Sequence, residues 1–173
     1  DNNLLSPEET LTIYLNTLKS MNTEQMGNYL GIESLLNTSD SDKNSIASAL
    51  VEQVHQNFDF KITNCEEQGY TATVSTTITT FDSTSILNTF SQEQDAYLSS
   101  ADAVIDGSEK RYQKSLEMLL NDIKNNTANI TSTADFHLTN DGVSWKLDDS
   151  NTTIGNAIFG TLSNSPVSEE TED

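Results

Sequence analysis

"NITSTADFHLTNDGVSWKLD", residues 129–148, decides the fold. Ile130, Ser132, Ala134, Phe136 and Leu138 alternate with Thr131, Thr133, Asp135, His137 and Thr139. A period of two is the mark of a strand with one face inward. Asn140-Asp141-Gly142 then supplies turn residues, glycine for an unusual backbone angle and Asn or Asp for side-chain bonds to nearby amides. Val143, Trp145 and Leu147 carry an apolar face back, so the stretch predicts an antiparallel hairpin with Trp145 toward the core. The acids at its end, "DDSN" at 148–151, could be a metal or catalytic loop. Ile154, Ile158 and Leu162 follow at helical spacing, so Asp149, Ser150 or Asn151 is expected to cap a last helix instead.

Upstream, a second alternating region has the same character. In "NFDFKIT" Phe58, Phe60 and Ile62 oppose Asp59, Lys61 and Thr63, and "NCEEQG" is expected to turn the chain. In "YTATVSTTITTF" Tyr70, Ala72, Val74, Thr76 and Ile78 oppose Thr71, Thr73, Ser75, Thr77 and Thr79. This predicts two half-buried antiparallel strands with a threonine-rich outer face. Between the hairpins, residues 83–125 return to helical spacing. Tyr112, Leu116, Leu119, Leu120 and Ile123 form one stripe, and Gly107 is expected to divide the region into two helices or bend one.

The chain begins with helices. Ser6, Pro7 and Glu9 make a capping box with proline at the first helical position, and Leu11, Tyr14, Leu15 and Leu18 form a face. "NTEQMGNYLG" reads as a short second helix capped by Thr23 and stopped by Gly31. Ile46, Leu50 and Val54 mark a third. Helices, a hairpin, helices, a hairpin and a helix give an α+β fold. Its curved antiparallel sheet of about four strands is packed on one side by the N-terminal helices. Residues 1–162 are read as one domain with 83–125 as a helical insertion, and 163–173 as an acidic, loose tail.

The charge excludes several functions. With 27 acidic residues against 8 basic ones the formal charge is −19. Nucleic acids and anionic membrane surfaces need clustered Lys and Arg, and Arg111 is the single arginine. The basic cluster "EKRYQK" at 109–114 is too diluted by other residues to reverse that. Cys65 stands alone, so neither an internal disulfide nor a cluster of thiolates can form. No run of apolar residues is long enough to span a membrane. The start at Asp1 fits either a processed or a trimmed chain, and the wealth of Asn, Ser and Thr suits a secreted or surface-tethered bacterial protein.

At this point the chain resembles a known family. "SPEETLTIYLNTLKSMNTEQMGNYL", residues 6–30, looks like the opening of nuclear transport factor 2-like domains in secreted lipoproteins of Gram-positive bacteria. "DGVSWKLDD", residues 141–149, is similar to the Gly-x-Trp-x-aliphatic-Asp strand that ends many of them. The resemblance implies a cone-shaped α+β domain, a lipid anchor upstream of Asp1, and no assigned activity. Enzymes of this cone-shaped fold place Asp, His or Tyr inside the cone as general acid or base.

Here the inward faces carry no carboxylate or histidine: Asp59, Asp135, His137 and Asp148 all alternate outward. The residues that could line a pocket are Tyr14, Tyr29, Phe58, Phe60, Tyr70 and Trp145. His55 and His137 have no companion metal ligand at helix or hairpin spacing. Asp40, Asp42 and Asn44 match a calcium-loop pattern, but Ser45 and Val51 stand where Gly and Glu are needed, so a helix N-terminus is the simpler reading. No catalytic residue, metal or cofactor is expected. The sequence therefore predicts a non-catalytic extracytoplasmic binding or interaction domain, its partner an unknown protein or small ligand at the cell surface. The alternative is a small apolar-ligand or isomerase/dehydratase-like pocket between sheet and helices.

Overall fold

A computed structural model describes residues 4–30, 41–148 and 150–170. The first helix, α1 (Pro7–Lys19), starts as its sequence dictates. Ser6 Oγ accepts from the Glu9 amide at 3.0 Å and Glu9 Oε1 accepts from the Ser6 amide at 3.1 Å. The second, α2 (Thr23–Leu30), is capped by Asn22 rather than Thr23, through a reciprocal pair with Gln25 at 2.8 and 3.1 Å. The expected stop at Gly31 lies outside the described residues. In α3 (Ser41–Asn57), Asp42, Asn44 and Ser45 occupy the first helical turns, not a calcium loop; Asp40 lies outside the described residues.

The sheet is four-stranded and antiparallel throughout, in the order β1 (Asp59–Gln68), β2 (Thr71–Phe81), β3 (Asn129–Asn140) and β4 (Trp145–Leu147). Ala72, Val74, Thr76, Ile78 and Thr80 of β2 are buried, and Phe136 and Leu138 of β3 join them. Helix α1 reaches β1, β2 and β4, and α3 reaches β2. Leu11, Leu15, Leu18, Ile46, Leu50 and Val54 are buried with those strand residues in one core. Each such fully buried aliphatic or phenyl side chain stabilises the fold by about 1.5–3 kcal/mol.

Two expectations about the strands need correction. "NCEEQG" does not turn the chain: the register shifts between Ile62 and Asn64, and the strand continues through Cys65 to Gln68. A bulge of this kind adds one residue and flips the faces beyond it, which brings Cys65 opposite Val74. The turn falls at Gly69 (φ 63°) and Tyr70, so Tyr70 is 69% exposed instead of facing the core. Val143 likewise belongs to the second turn and is 70% exposed. There Asp141 Oδ1 accepts from the Val143 and Ser144 amides at 2.8 and 2.9 Å, and Gly142 takes φ 94°. Asp141 is thus engaged in its own turn. The cap expected at Asp149, Ser150 or Asn151 lies outside the side chains described.

The helical region after β2 breaks at Ser99–Ser100, giving α4 (Ser83–Leu98) and α5 (Ala101–Lys124), and Gly107 is a kink inside α5 (φ 81°, ψ 170°). Both helices have side-chain caps, Asp82 on the Ser85 amide and Ser100 on the Ala103 amide. The kink is bound by charge. Asp106, its side chain 8% exposed, accepts from Tyr97 Oη and Lys114 Nζ, each at 2.6 Å, with Lys110 at 3.6 Å. Arg111 Nη1 donates to the Ala103 carbonyl at 2.7 Å.

Helix α6 (Ser150–Phe159) returns to β2 and β3. Phe159 meets Phe81 edge-on at 5.8 Å, and Thr80 Oγ1 donates to the Ile158 carbonyl at 3.2 Å. A 3₁₀ turn (Gly160–Ser163) follows. The stretch after it, expected to be loose, is tied down over its described part. Val167 is buried, and Arg111 Nε pairs with Glu170 at 3.1 Å.

Candidate binding surface

Of the six residues named as possible pocket lining, Tyr70 stands exposed in a turn, and the other five lie in or against the core. Tyr14 and Tyr29 meet across α1 and α2 with ring centroids 4.9 Å apart, and burial pushes the Tyr29 phenol up. Tyr29 borders an open groove of about 570 Å³ with Thr17, Ser20, Met21, Gln25 and Asn28. Phe58 and Phe60 lie 6.2 Å apart at the start of β1. Lys19 Nζ sits 6.0 and 5.4 Å from their ring centroids and 3.3 Å from Asp59. Tyr70 is at the other end of β1, on the order of 30 Å along the strand. Trp145 is half-buried on β4. Between sheet and helices, where the alternative reading places a pocket, buried leucine, phenylalanine and valine side chains belong to one core cluster.

The opposite face of the sheet is polar and ordered by register. On β2 it carries Thr71, Thr73, Ser75, Thr77 and Thr79. Opposite them on β3 stand Thr139, His137, Asp135, Thr133 and Thr131. Thr79 and Thr131 hydroxyls are 3.0 Å apart, Thr73 Oγ1 is 3.2 Å from His137 Nδ1, and Thr139 Oγ1 donates to Asp148 at 2.7 Å. Alternation puts these short side chains on one side because β-branched threonine fits the pleat while its hydroxyl stays wet. Lys61 stands opposite Thr77 and Glu66 opposite Thr73 on β1. The β3 members are exposed and most of the β2 members half-exposed, so the face offers many donors and acceptors and little apolar area.

Three charged groupings lie elsewhere. The bulge in β1 swings Cys65 toward α1, where its thiol and the Glu8 and Glu67 carboxylates lie within 4.8 Å of one another. Burial first, then those carboxylates, push the thiol up to about 11. A divalent cation could be held there only after the thiol loses a proton that its surroundings retain. On the helical pair, Asp122 of α5 lies against Glu93 of α4. One of its oxygens is shut off from solvent with no hydrogen-bond donor, and burial and then Glu93 push the carboxyl up to about 7. The third is Asp106, held at about 2 chiefly by the hydrogen bonds from Lys114 and Tyr97. His55 has Nε2 2.7 Å from the Met21 carbonyl. Spacing could not have revealed the first two groupings, which depend on a bulge and on the rotation of two helices.

An α+β fold with an open antiparallel sheet, helices against one side and a polar outer face is the class this chain shows. No protein-family model matches it, and no curated protein is a significant match. One solved structure is similar, the Bacillus subtilis protein YcdA, provisionally described as a lipoprotein. The TM-score is 0.48 at 18% identity, over 73% of this chain and 40% of that one. The chain thus spans well under half of that protein. Among the described residues no helix is long and apolar enough to cross a membrane.

Proposed function

We propose that this chain is a non-catalytic binding domain working outside the cytoplasm as part of a bacterial surface lipoprotein. Its contact surface is the outer face of the sheet. The observation that carries this reading is the contrast between the two faces. One is packed with helices and apolar side chains, and the other presents a registered field of hydroxyl, carboxylate and imidazole groups. The likeness of residues 6–30 and 141–149 to nuclear transport factor 2-like lipoprotein domains supports the surface placement. So does a charge of −19, which disfavours nucleic acid. The alternative, a pocket for an apolar ligand with isomerase or dehydratase chemistry, has less support because Tyr70, one of its expected lining residues, stands exposed in a turn.

The test is co-sedimentation of the purified domain with isolated Gram-positive cell envelopes, comparing the parent with Thr77→Glu on the outer face. The parent is expected to pellet with envelopes and Thr77→Glu to bind at least ~10-fold more weakly, with thermal unfolding unchanged. Parent and variant that pellet equally, or a parent that stays in solution, would contradict the reading.

A further inference from the structure

The two edges of the sheet differ in a way that bears on what the domain binds. An edge strand exposes a row of free backbone N–H and C=O groups and invites another strand unless it is guarded. The β1 edge is guarded: Asp59, Lys61, Glu66 and Glu67 lie along it and a bulge interrupts it at Thr63. The other edge is shared unequally. Twelve-residue β3 has β4 beside it for only three residues, the register running Leu138–Leu147, Thr139–Lys146 and Asn140–Trp145.

The direction of the free groups follows from that register. The His137 carbonyl accepts from the Asp148 amide at 2.8 Å, on the β4 side, and the Asn140 amide donates toward Tyr70, on the β2 side. Backbone groups alternate along a strand, so Asn129, Thr131 and Thr133 turn theirs away from β2. Among the described residues, nothing bonds to them. The first five residues of β3 are exposed on both faces of the sheet, Ile130 included. No proline and no charge occurs from Asn129 to Ala134.

We infer that this edge of β3 takes up an extended segment of a partner as a fifth strand, and that the segment is amphipathic and basic. The inference rests on the reading of the chain as a binding domain and names the partner's chemistry. On the helix side of the edge the incoming strand meets Ile130, Ser132 and Ala134, which calls for apolar side chains at alternate positions. On the outer side it meets Thr131, Thr133 and Asp135 within a chain of charge −19, which calls for lysine or arginine at the others. A second copy of the chain would bring the same negative charge to the same edge. A segment with free cations suits it better.

The experiment titrates the whole chain with a capped peptide alternating valine and lysine, and with its valine–glutamate counterpart, while recording backbone amide spectra. The lysine peptide is expected to shift and protect from exchange the Thr131 and Thr133 amides. Thr133→Pro, which removes one outward donor, and Ser132→Lys, which places a guard charge on the edge, should each weaken it at least ~5-fold. Both variants must keep the parent's thermal unfolding; if Thr133→Pro does not, Ser132→Lys decides alone. Amides that do not move, variants that bind as the parent does, or equal binding of the glutamate peptide would overturn the inference. So would a concentration-dependent dimer that protects the same amides without peptide. Envelope binding that persists while the peptide fails removes this inference and leaves the outer-face reading standing. Peptide binding without envelope binding does the reverse.

Discussion

Replacing Asp122 by asparagine should remove a pH-dependent weakness between α4 and α5. The Asp122 carboxyl is raised from 3.8 to about 7, by burial first and by Glu93 after it. The unfolded chain gives up this proton near the ordinary value, whereas the folded chain keeps it to about 7. Between those values the folded state binds more protons, so stability falls as pH rises through the window. Below the window both states are protonated and the pair carries no penalty. At ~1.4 kcal/mol per unit the ceiling is ~4 kcal/mol, but Asp122 is partly open to solvent and screening reduces the expectation to ~1–2 kcal/mol. Asp122→Asn abolishes the titration and offers Glu93 an amide donor. Urea unfolding should show the variant ~1–2 kcal/mol more stable than the parent at about pH 8, and within ~0.5 kcal/mol of it at about pH 4. Asp106 and Asp141, both held at about 2, give the opposite slope in acid, their stabilisation being lost as pH falls below about 4. The difference between variant and parent therefore carries the test. An equal gain at both pH values, or a loss at about pH 8, would refute the reasoning.

Other outcomes follow from packing and backbone geometry. Phe81 is fully buried against Phe159, so Phe81→Ala should cost about 3–5 kcal/mol in urea unfolding by opening a cavity between β2 and α6; a loss below ~1 kcal/mol would mean the C-terminal helix is not integral to the core. Gly160 has φ 53°, and an added Cβ would run into the Ser83 hydroxyl, itself buried. Gly160→Ala should therefore cost about 1–3 kcal/mol and exceed the cost of Gly142→Ala, where φ is 94° but nothing crowds the site. Cys65 should react with iodoacetamide near pH 8 at least ~10-fold more slowly than an unhindered thiol, and Glu8→Gln should speed it by lowering the thiol's pKa from about 11. Reaction at the unhindered rate would show that the bulge does not turn the thiol inward.

What could be read from the letters was whatever has a period. β2 and β3 alternate without interruption, and the capping box at Ser6 is local, so both came through. The bulge at Thr63 has no local signature. The alternation of Phe58, Phe60 and Ile62 ends there, and the two glutamates after Cys65 suggest a loop although they belong to a solvent-facing strand. Tyr70 and Val143 show the same limit from the other side, because an apolar residue beside a turn looks like the first position of a strand. Val167 was missed for a different reason. A single apolar residue in a polar tail has no period, and its burial depends on contacts made far away in sequence. Side-chain faces fix which layer a residue enters, not where along the layer it lies, so they could not say which residues share a pocket.

The open edge of the sheet was not legible in the sequence, because only the topology shows it. A central strand needs no guard charges because its neighbours satisfy its backbone, so "NITSTA" at 129–134 reads as an inner strand. Among the described residues the fold instead leaves its outer side open, since β4 ends after Leu147. Sequence and position therefore disagree at this one strand, while the opposite edge carries the charges and the bulge that an edge ordinarily has. Such local disagreement, in a chain whose other elements agree with their surroundings, is where a working surface is to be sought.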